Sequence, residues 1–356
     1  MQIAKLVTAS IMVTLCGSLT QARGLSAETQ WNRFAKDSIA QFNRHQKIET
    51  NLWEQTRKQV MKKWRDGAMP GQKVFVQYFN HDSTRIKVDY KIGKVTVESL
   101  TSDSGAFGLD TTRANISKAL SSVISKNSAS MNSLLSTDLI QGSSKNSDTV
   151  AADLSKNVEF VGAEVGGDGR SRRLYRVTFK LVPDYIKRLA KKYKPTVDRW
   201  AHKYGLDPAL VLGIIRQESA FNPRARSWVG AIGLMQVYPK YAGREVFETV
   251  LKKNEIPPDA FLYNPKNNIM VGVTYLQILR DKYFGKIKNR KKRRYLMICA
   301  YNWSAARLLK DIDRGELPIR APASEVFNKL ERITPDETKT YLRKVTEYST
   351  EFRGSQ

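Results

Sequence analysis

The sequence predicts an α+β protein: a small N-terminal α+β domain followed by a mostly α-helical one. Three observations point there. Short alternating apolar runs recur between residues 74 and 182, helical periodicity takes over after Val182-Pro183-Asp184, and the chain of 356 residues is 41% hydrophobic, enough to bury a sizeable core. The composition also excludes several classes. Aromatic residues make up 10% of the chain, which argues against disorder. No apolar run beyond the N-terminus is long enough to span a bilayer. Two cysteines, Cys16 and Cys299, cannot build a disulfide scaffold, and three scattered histidines without a Cys-x-x-Cys pair offer no zinc set.

Residues 1–22 read as a secretory signal. Residues 1–27 hold no acid, Lys5 precedes the mostly apolar or small stretch Leu6–Leu19, and Thr20-Gln21-Ala22 puts small residues where a signal peptidase reads. Val13-Thr14-Leu15-Cys16 also resembles a lipoprotein box, with Leu15 where a small residue is usual; by that reading Cys16 is a lipidation site. Either route exports the chain to the periplasm, the lipidated one anchoring it to the outer membrane, and leaves Cys299 as a buried free thiol.

Residues 28–182 form the first expected domain. A helical segment over 28–66 leads into alternating strands at Val74–Phe79, Arg85–Tyr90 and Lys94–Leu100, the last two joined by a hairpin at Lys91-Ile92-Gly93. A short helix follows over Thr111–Lys126. Ten of the twenty-one residues in 127–147 are Ser or Asn, which reads as a flexible insert. Val158–Gly162 and Leu174–Val182 complete the strands. The glycines between them, Gly166, Gly167 and Gly169, open no helix, and no phosphate-loop motif exists. The second domain runs over 185–356.

In that domain Asp207-Pro208 gives a helix start, an N-cap acid before Pro at the first position, and Asn222-Pro223 a stop. The helix over Ala209–Ala220 has apolar positions Leu210, Val211, Ile214 and Ile215, so Glu218 falls on the apolar stripe near the negative end of the helix dipole. Burial and dipole both favour the protonated carboxyl, which is what a general acid needs near neutral pH. An isolated Glu late in a helix would as readily face water; the residues that follow it single this one out.

Glu218-Ser219-x-Phe221-x-Pro223-x-Ala225-x-Ser227-x-x-Gly230-Ala231-x-Gly233-Leu234-Met235-Gln236, then Ala300-Tyr301-Asn302, then Glu337-Thr338-Lys339-x-Tyr341, resembles in order and spacing the motifs of the lytic murein transglycosylases with a goose-type, lysozyme-like catalytic domain. Within that family the membrane-bound lytic murein transglycosylase C group is most similar, because its N-terminal sheet also enters the catalytic part through a Val-Pro-Asn/Asp turn. The resemblance is strong over about 180–350 and weaker over 75–180; none is claimed for 28–74.

The resemblance implies cleavage of the β-1,4 bond between N-acetylmuramic acid and N-acetylglucosamine in peptidoglycan, with a 1,6-anhydromuramyl product and no cofactor. Glu218 would be the single acid and then base. Ser227, Gly233, Met235, Gln236, Tyr301, Asn302 and Tyr341 would bind substrate. Glu245 and Glu248 lie on a separate segment and supply no evident second carboxylate. Trp303 stands where the family usually has glycine, and Tyr238 where it has an aliphatic residue or Met; both put subsite preference in question. A water-using muramidase of the same fold, and a wall-binding protein with a silent cleft, are the alternatives the residues leave open.

The formal net charge is +26, and residues 286–294 hold seven basic side chains in nine. Helix-turn-helix, zinc-finger and RNA-platform signatures are absent, so nucleic acid is not the expected partner. The run reads either as a solvated loop between helices or as an attraction to acidic glycan peptides or an anionic membrane surface.

Overall fold

The computed structural model describes residues 47–354 apart from 49, 103–104, 126–130, 132 and 142–145. The signal segment, Cys16 and the start of the 28–66 helix therefore lie outside the described residues. A helix over 50–61 (α1) precedes strands β1 (Val74–Phe79), β2 (Thr84–Asp89) and β3 (Lys94–Thr101). Helix α2 (Gly105–Val123) begins six residues before the expected start. Two-residue strands β4 (Ile124–Ser125) and β5 (Leu135–Ser136) pair in parallel. Helix α3 (Ser147–Lys156) leads to β6 (Glu159–Val165) and β7 (Ser171–Lys180).

Five strands form one antiparallel sheet in the order β1-β2-β3-β7-β6. Ile86, Val88, Val95 and Val97, all fully buried, belong to the main hydrophobic core with Ile116 and Leu120 of α2. A smaller cluster joins Val60 of α1 and Trp64 to Leu100 and Leu174. There Arg85 stacks on Trp64 at 3.9 Å, and its Nε donates to Glu98 at 2.7 Å, so a buried charge pair is also hydrogen-bonded. Both faces of the central strands are covered, which blurs their alternation.

Of the Ser/Asn-rich stretch, residues 127–130, 132 and 142–145 lie outside the described residues. Leu135 and Leu139 anchor the rest in the main core, and Asn146 caps α3 by accepting from Asp148 N at 2.9 Å. Composition alone missed these anchors because single buried leucines carry no periodicity.

The helical part comprises α4 (Tyr185–Lys203), α5 (Pro208–Ser219), α6 (Arg244–Thr249), α7 (Asp259–Leu262), α8 (Pro265–Ile278), α9 (Arg290–Asn302), α10 (Ala305–Asp313), α11 (Ala323–Ile333) and α12 (Asp336–Arg353). Asp207 caps α5 by accepting from Ala209 N at 2.9 Å, as its sequence predicts. The basic run is only partly a loop: Arg290–Arg294 are the opening turns of α9.

The sheet and the helices share one hydrophobic core, in which Ile86 and Val88 are continuous with Ile214 and Ile215. At the junction the Tyr185 hydroxyl meets the carbonyls of Tyr90 (3.1 Å) and Lys91 (3.0 Å), and Asn222 Nδ2 donates to Gln72 O at 3.2 Å. Helix α5 lies against α12 through Gly213, where a Cβ would stand 2.7 Å from Ser349 Oγ and 3.1 Å from Val345 O. Gly213→Val should force these helices apart and lower the unfolding free energy by about 2 kcal/mol. Urea unfolding checks this; an unchanged midpoint would mean the crossing relaxes freely.

Candidate active site

Glu218 sits in the last turn of α5. The helix stops because Ala220 and Phe221 turn left-handed, with φ of 49° and 67°. Non-glycine residues hold that conformation only when their surroundings fix it. Phe221 is fully buried and parallel to the Tyr193 ring at 6.3 Å, and Ser219 Oγ donates to Leu234 O at 2.8 Å. The helix end is thus fastened to α4 and to the loop after it.

That loop folds on itself. Ser227 Oγ accepts from Ala231 N at 2.9 Å, Gly233 N donates to Ala225 O at 2.8 Å, and Ile232 and Val237 bridge. Gly233 has φ of 75°, and a Cβ there would overlap the Asn268 amide and come within 2.9 Å of Leu262 O; only glycine fits. Asn268, on α8 and 1% exposed, clamps the loop. Its Nδ2 donates to Ile232 O (2.8 Å) and Leu262 O (2.9 Å), and its Oδ1 accepts from Met235 N (2.8 Å).

Two further helices close the site. From α12, Tyr341 Oη donates to Glu218 Oε1 at 2.7 Å. From α9, Tyr301 Oη donates to Met235 O at 2.8 Å, and Asn302 Oδ1 accepts from Thr338 Oγ1 at 2.8 Å. The motif residues of α5, the loop, α9 and α12 therefore converge.

Glu218 keeps a partly exposed edge, but its carboxyl is deeply enclosed, and the carboxyl's surroundings govern its ionisation. Burial pushes it up to about 7. The Tyr341 hydrogen bond and the Lys73 charge oppose that rise, and the Glu337 charge adds to it. Tyr341 and Tyr301 are driven well above the ordinary phenol range, first by burial and then by Glu218, so both remain donors. With Oε1 engaged by Tyr341, Oε2 is the oxygen left to carry the transferable proton.

The remaining expected site residues Met235, Ser227 and Gln236 are all buried. Met235 has no exposed surface; its side chain packs on Gly272, and its backbone is held at both ends by Asn268 and Tyr301, so it shapes the loop from behind. Ser227 spends its hydroxyl on the turn. Gln236, at φ 46°, donates through Nε2 to Gly233 O at 3.0 Å, while its Oε1 is buried without a hydrogen-bond partner. Trp303 caps the C-terminus of α9, its indole N–H buried and likewise unpartnered. Glu245 accepts from Tyr283 at 3.0 Å and pairs with Lys282, and Glu248 pairs with Arg244, so neither carboxylate is free. Among the described residues no group of His, Cys, Asp and Glu is placed to hold a metal.

Sequence reasoning missed Asn268, Asn222 and Lys73. Lys73 comes from the segment entering β1 and places its charge within reach of Glu218; burial lowers its own pKa and Glu218 raises it. Lys73→Met should move the basic limb of the rate profile to higher pH, because Glu218 loses a charge that favours its ionised form. A pH series of initial rates tests this, and an unmoved limb would show the charge to be ineffective.

Residues 195–316 match the family described as transglycosylase SLT domain, and residues 37–123 match the N-terminal domain of membrane-bound lytic murein transglycosylase C. The two matches lie on separate parts of the chain, and both carry transglycosylase descriptions. The second match reaches into 37–74, where the motifs gave no sign of kinship. Membrane-bound lytic murein transglycosylase C of Actinobacillus pleuropneumoniae serotype 5b (strain L20) is 39% identical over 189 residues, 49% of each chain. The Haemophilus influenzae (strain PittEE) protein of the same name is 38% identical over 183 residues, 50% of this chain and 51% of its own. The match thus spans about half the length of these curated relatives. Among solved structures, the 70 kDa soluble lytic transglycosylase SLT70 of Escherichia coli is 26% identical, with a TM-score of 0.38 over 47% of this chain and 25% of that one. The 70 kDa soluble lytic transglycosylase in complex with bulgecin A has a TM-score of 0.39, also at 26% identity, over 48% and 25% of the two chains.

Proposed function

We propose that this protein is a peptidoglycan lytic transglycosylase that cuts between N-acetylmuramic acid and N-acetylglucosamine and leaves a 1,6-anhydromuramyl end. The observation that carries the reading is one enclosed carboxyl, raised to about 7 and held by Tyr341, while the other carboxylate whose charge reaches it, Glu337, is exposed. A group near neutrality is suited to give a proton and then take one. In the first step Glu218 protonates the glycosidic oxygen as the bond to C1 breaks, and the muramic acetamido oxygen stabilises the cation at C1. In the second, the Glu218 carboxylate removes the proton of the C6 hydroxyl on the same sugar, and that oxygen closes onto C1. No water is consumed and Glu218 ends protonated, ready for the next cycle.

Gly233, Gln236, Tyr301 and Asn302 line the glycan path in this reading, with Ser227 and Met235 setting the loop's shape. Residues 28–182 and 185–356 act as two domains, the catalytic acid in the second and Lys73 reaching it from the first. The chain works in the cell envelope, exported by residues 1–22, with lipidation at Cys16 as an anchor and the 286–294 run drawn to anionic membrane. Digestion of purified sacculi followed by mass analysis tests the chemistry. Anhydro ends, about 18 mass units lighter than hydrolysed ends, are expected from the wild type; hydrolysed ends would identify a muramidase, and no release a silent wall-binding protein.

A further inference from the structure

At the end of α5 opposite to Glu218 lies a second cavity, of about 880 Å³. Asp207 and Glu218 are eleven residues apart on that helix, so the two sites stand about 16 Å from one another. Six cationic side chains line the cavity: Arg280, Arg290, Lys291, Arg293, Arg294 and Arg353. The lining holds one carboxylate, Asp207, and Asp281 neutralises Arg280 from beside it, which leaves an excess of four positive charges.

The arrangement has an ordered floor. Asp207 Oδ2 accepts from Arg294 Nη1 at 2.5 Å and also binds Arg353, while Oδ1 caps α5. Arg280 is held by Asp281 at 2.6 Å and by the carbonyl of Gly205 at 3.1 Å. Among the described residues Arg290, Lys291 and Arg293 have no ion-pair partner within 4.0 Å. The N-termini of α5 and α9 both border the cavity and add their positive dipole ends. Lys286 and Lys288 do not line it, and Lys292 turns away to donate to Ile319 O at 2.8 Å. The basic run is therefore sorted, part into a concave site and part into solvent.

We propose that this cavity is a binding site for a ligand carrying a diphosphate or two adjacent phosphate groups. Guanidinium groups match phosphate oxygens bidentately, and two adjacent phosphates set at least two negative charges side by side against the excess, where a carboxylate brings one. The volume admits such a group with an attached sugar or glycerol.

Pyrophosphate titrated calorimetrically into the full chain at fixed salt should bind saturably at one site. Replacing Arg290, Lys291 and Arg293 together by Ser should weaken it at least tenfold, because these side chains are unpaired and their loss leaves the floor intact. Replacing Lys286, Lys288 and Lys310 by Ser removes equal charge outside the cavity and should change binding less than twofold. No saturable binding, or equal weakening by both triple variants, would overturn the proposal. Sedimentation with cardiolipin vesicles, whose headgroup carries two phosphates, distinguishes the source: a larger loss in the cavity variant identifies a lipid headgroup, and equal losses beside a selective pyrophosphate effect identify a soluble phosphate ligand.

Discussion

Glu218→Gln should reduce muropeptide release from sacculi by about 10³-fold or more, since general acid and general base catalysis each contribute about 10²–10⁴ and both pass through this group. The substitution keeps size and an acceptor for Tyr341 but removes the proton donor and base. It should also change stability in a pH-dependent way. The folded carboxyl titrates near 7 instead of the ordinary 4.5. Its stabilising contribution is therefore complete below about 4.5 and is lost as pH rises through 7, because the folded state must then ionise an enclosed group. At pH well above 7 the variant should exceed the wild type by about 3 kcal/mol, and near pH 4 the two should agree. Urea unfolding at both pH values checks this. A constant difference would mean that the substitution acts on packing.

Asn268→Leu should produce the second large effect, on the fold and the site together. The change leaves Met235 N and Leu262 O buried without their partner, and Ile232 O with only the Val237 N–H. Each orphaned group costs about 1–3 kcal/mol, so an overall loss of about 3 kcal/mol or more is expected. Because these bonds fix the loop carrying Gly233 and Gln236, kcat/KM should fall even at temperatures where the variant stays folded. A loss below about 1 kcal/mol with full activity would mean that the loop is held elsewhere.

These two residues also mark what a sequence reader sees and what is hidden. The N-cap Asp207-Pro208, the apolar stripe and the stop at Asn222-Pro223 place Glu218 late on a helix, where an isolated Glu would as readily face water; the motif that follows it made it legible. Motif spacing brought in Tyr301, Asn302 and Tyr341, which meet only after α9 and α12 fold against α5. Asn268 was illegible because its meaning is purely tertiary; a lone Asn in an apolar helix gives no hint that a loop thirty residues earlier hangs from it. Lys73 was hidden for the same reason, since its neighbour is 145 positions away and lies across the sheet–helix junction. The strands were recognised despite blurred alternation because their turns are explicit, as at Lys91-Ile92-Gly93. In the Ser/Asn-rich stretch, composition averages over Leu135 and Leu139, which belong to the main core. The basic run was read as one feature, whereas α9 divides it by direction.

The central claim is that one carboxyl is poised near neutrality to act first as acid and then as base. Its most direct test is the carboxyl carbon resonance of Glu218, assigned by comparison with Glu218→Gln and followed by NMR as pH is varied. The account predicts a single transition near pH 7. A midpoint near 4.5 would place an ordinary, already ionised glutamate at this position and contradict the proposed chemistry.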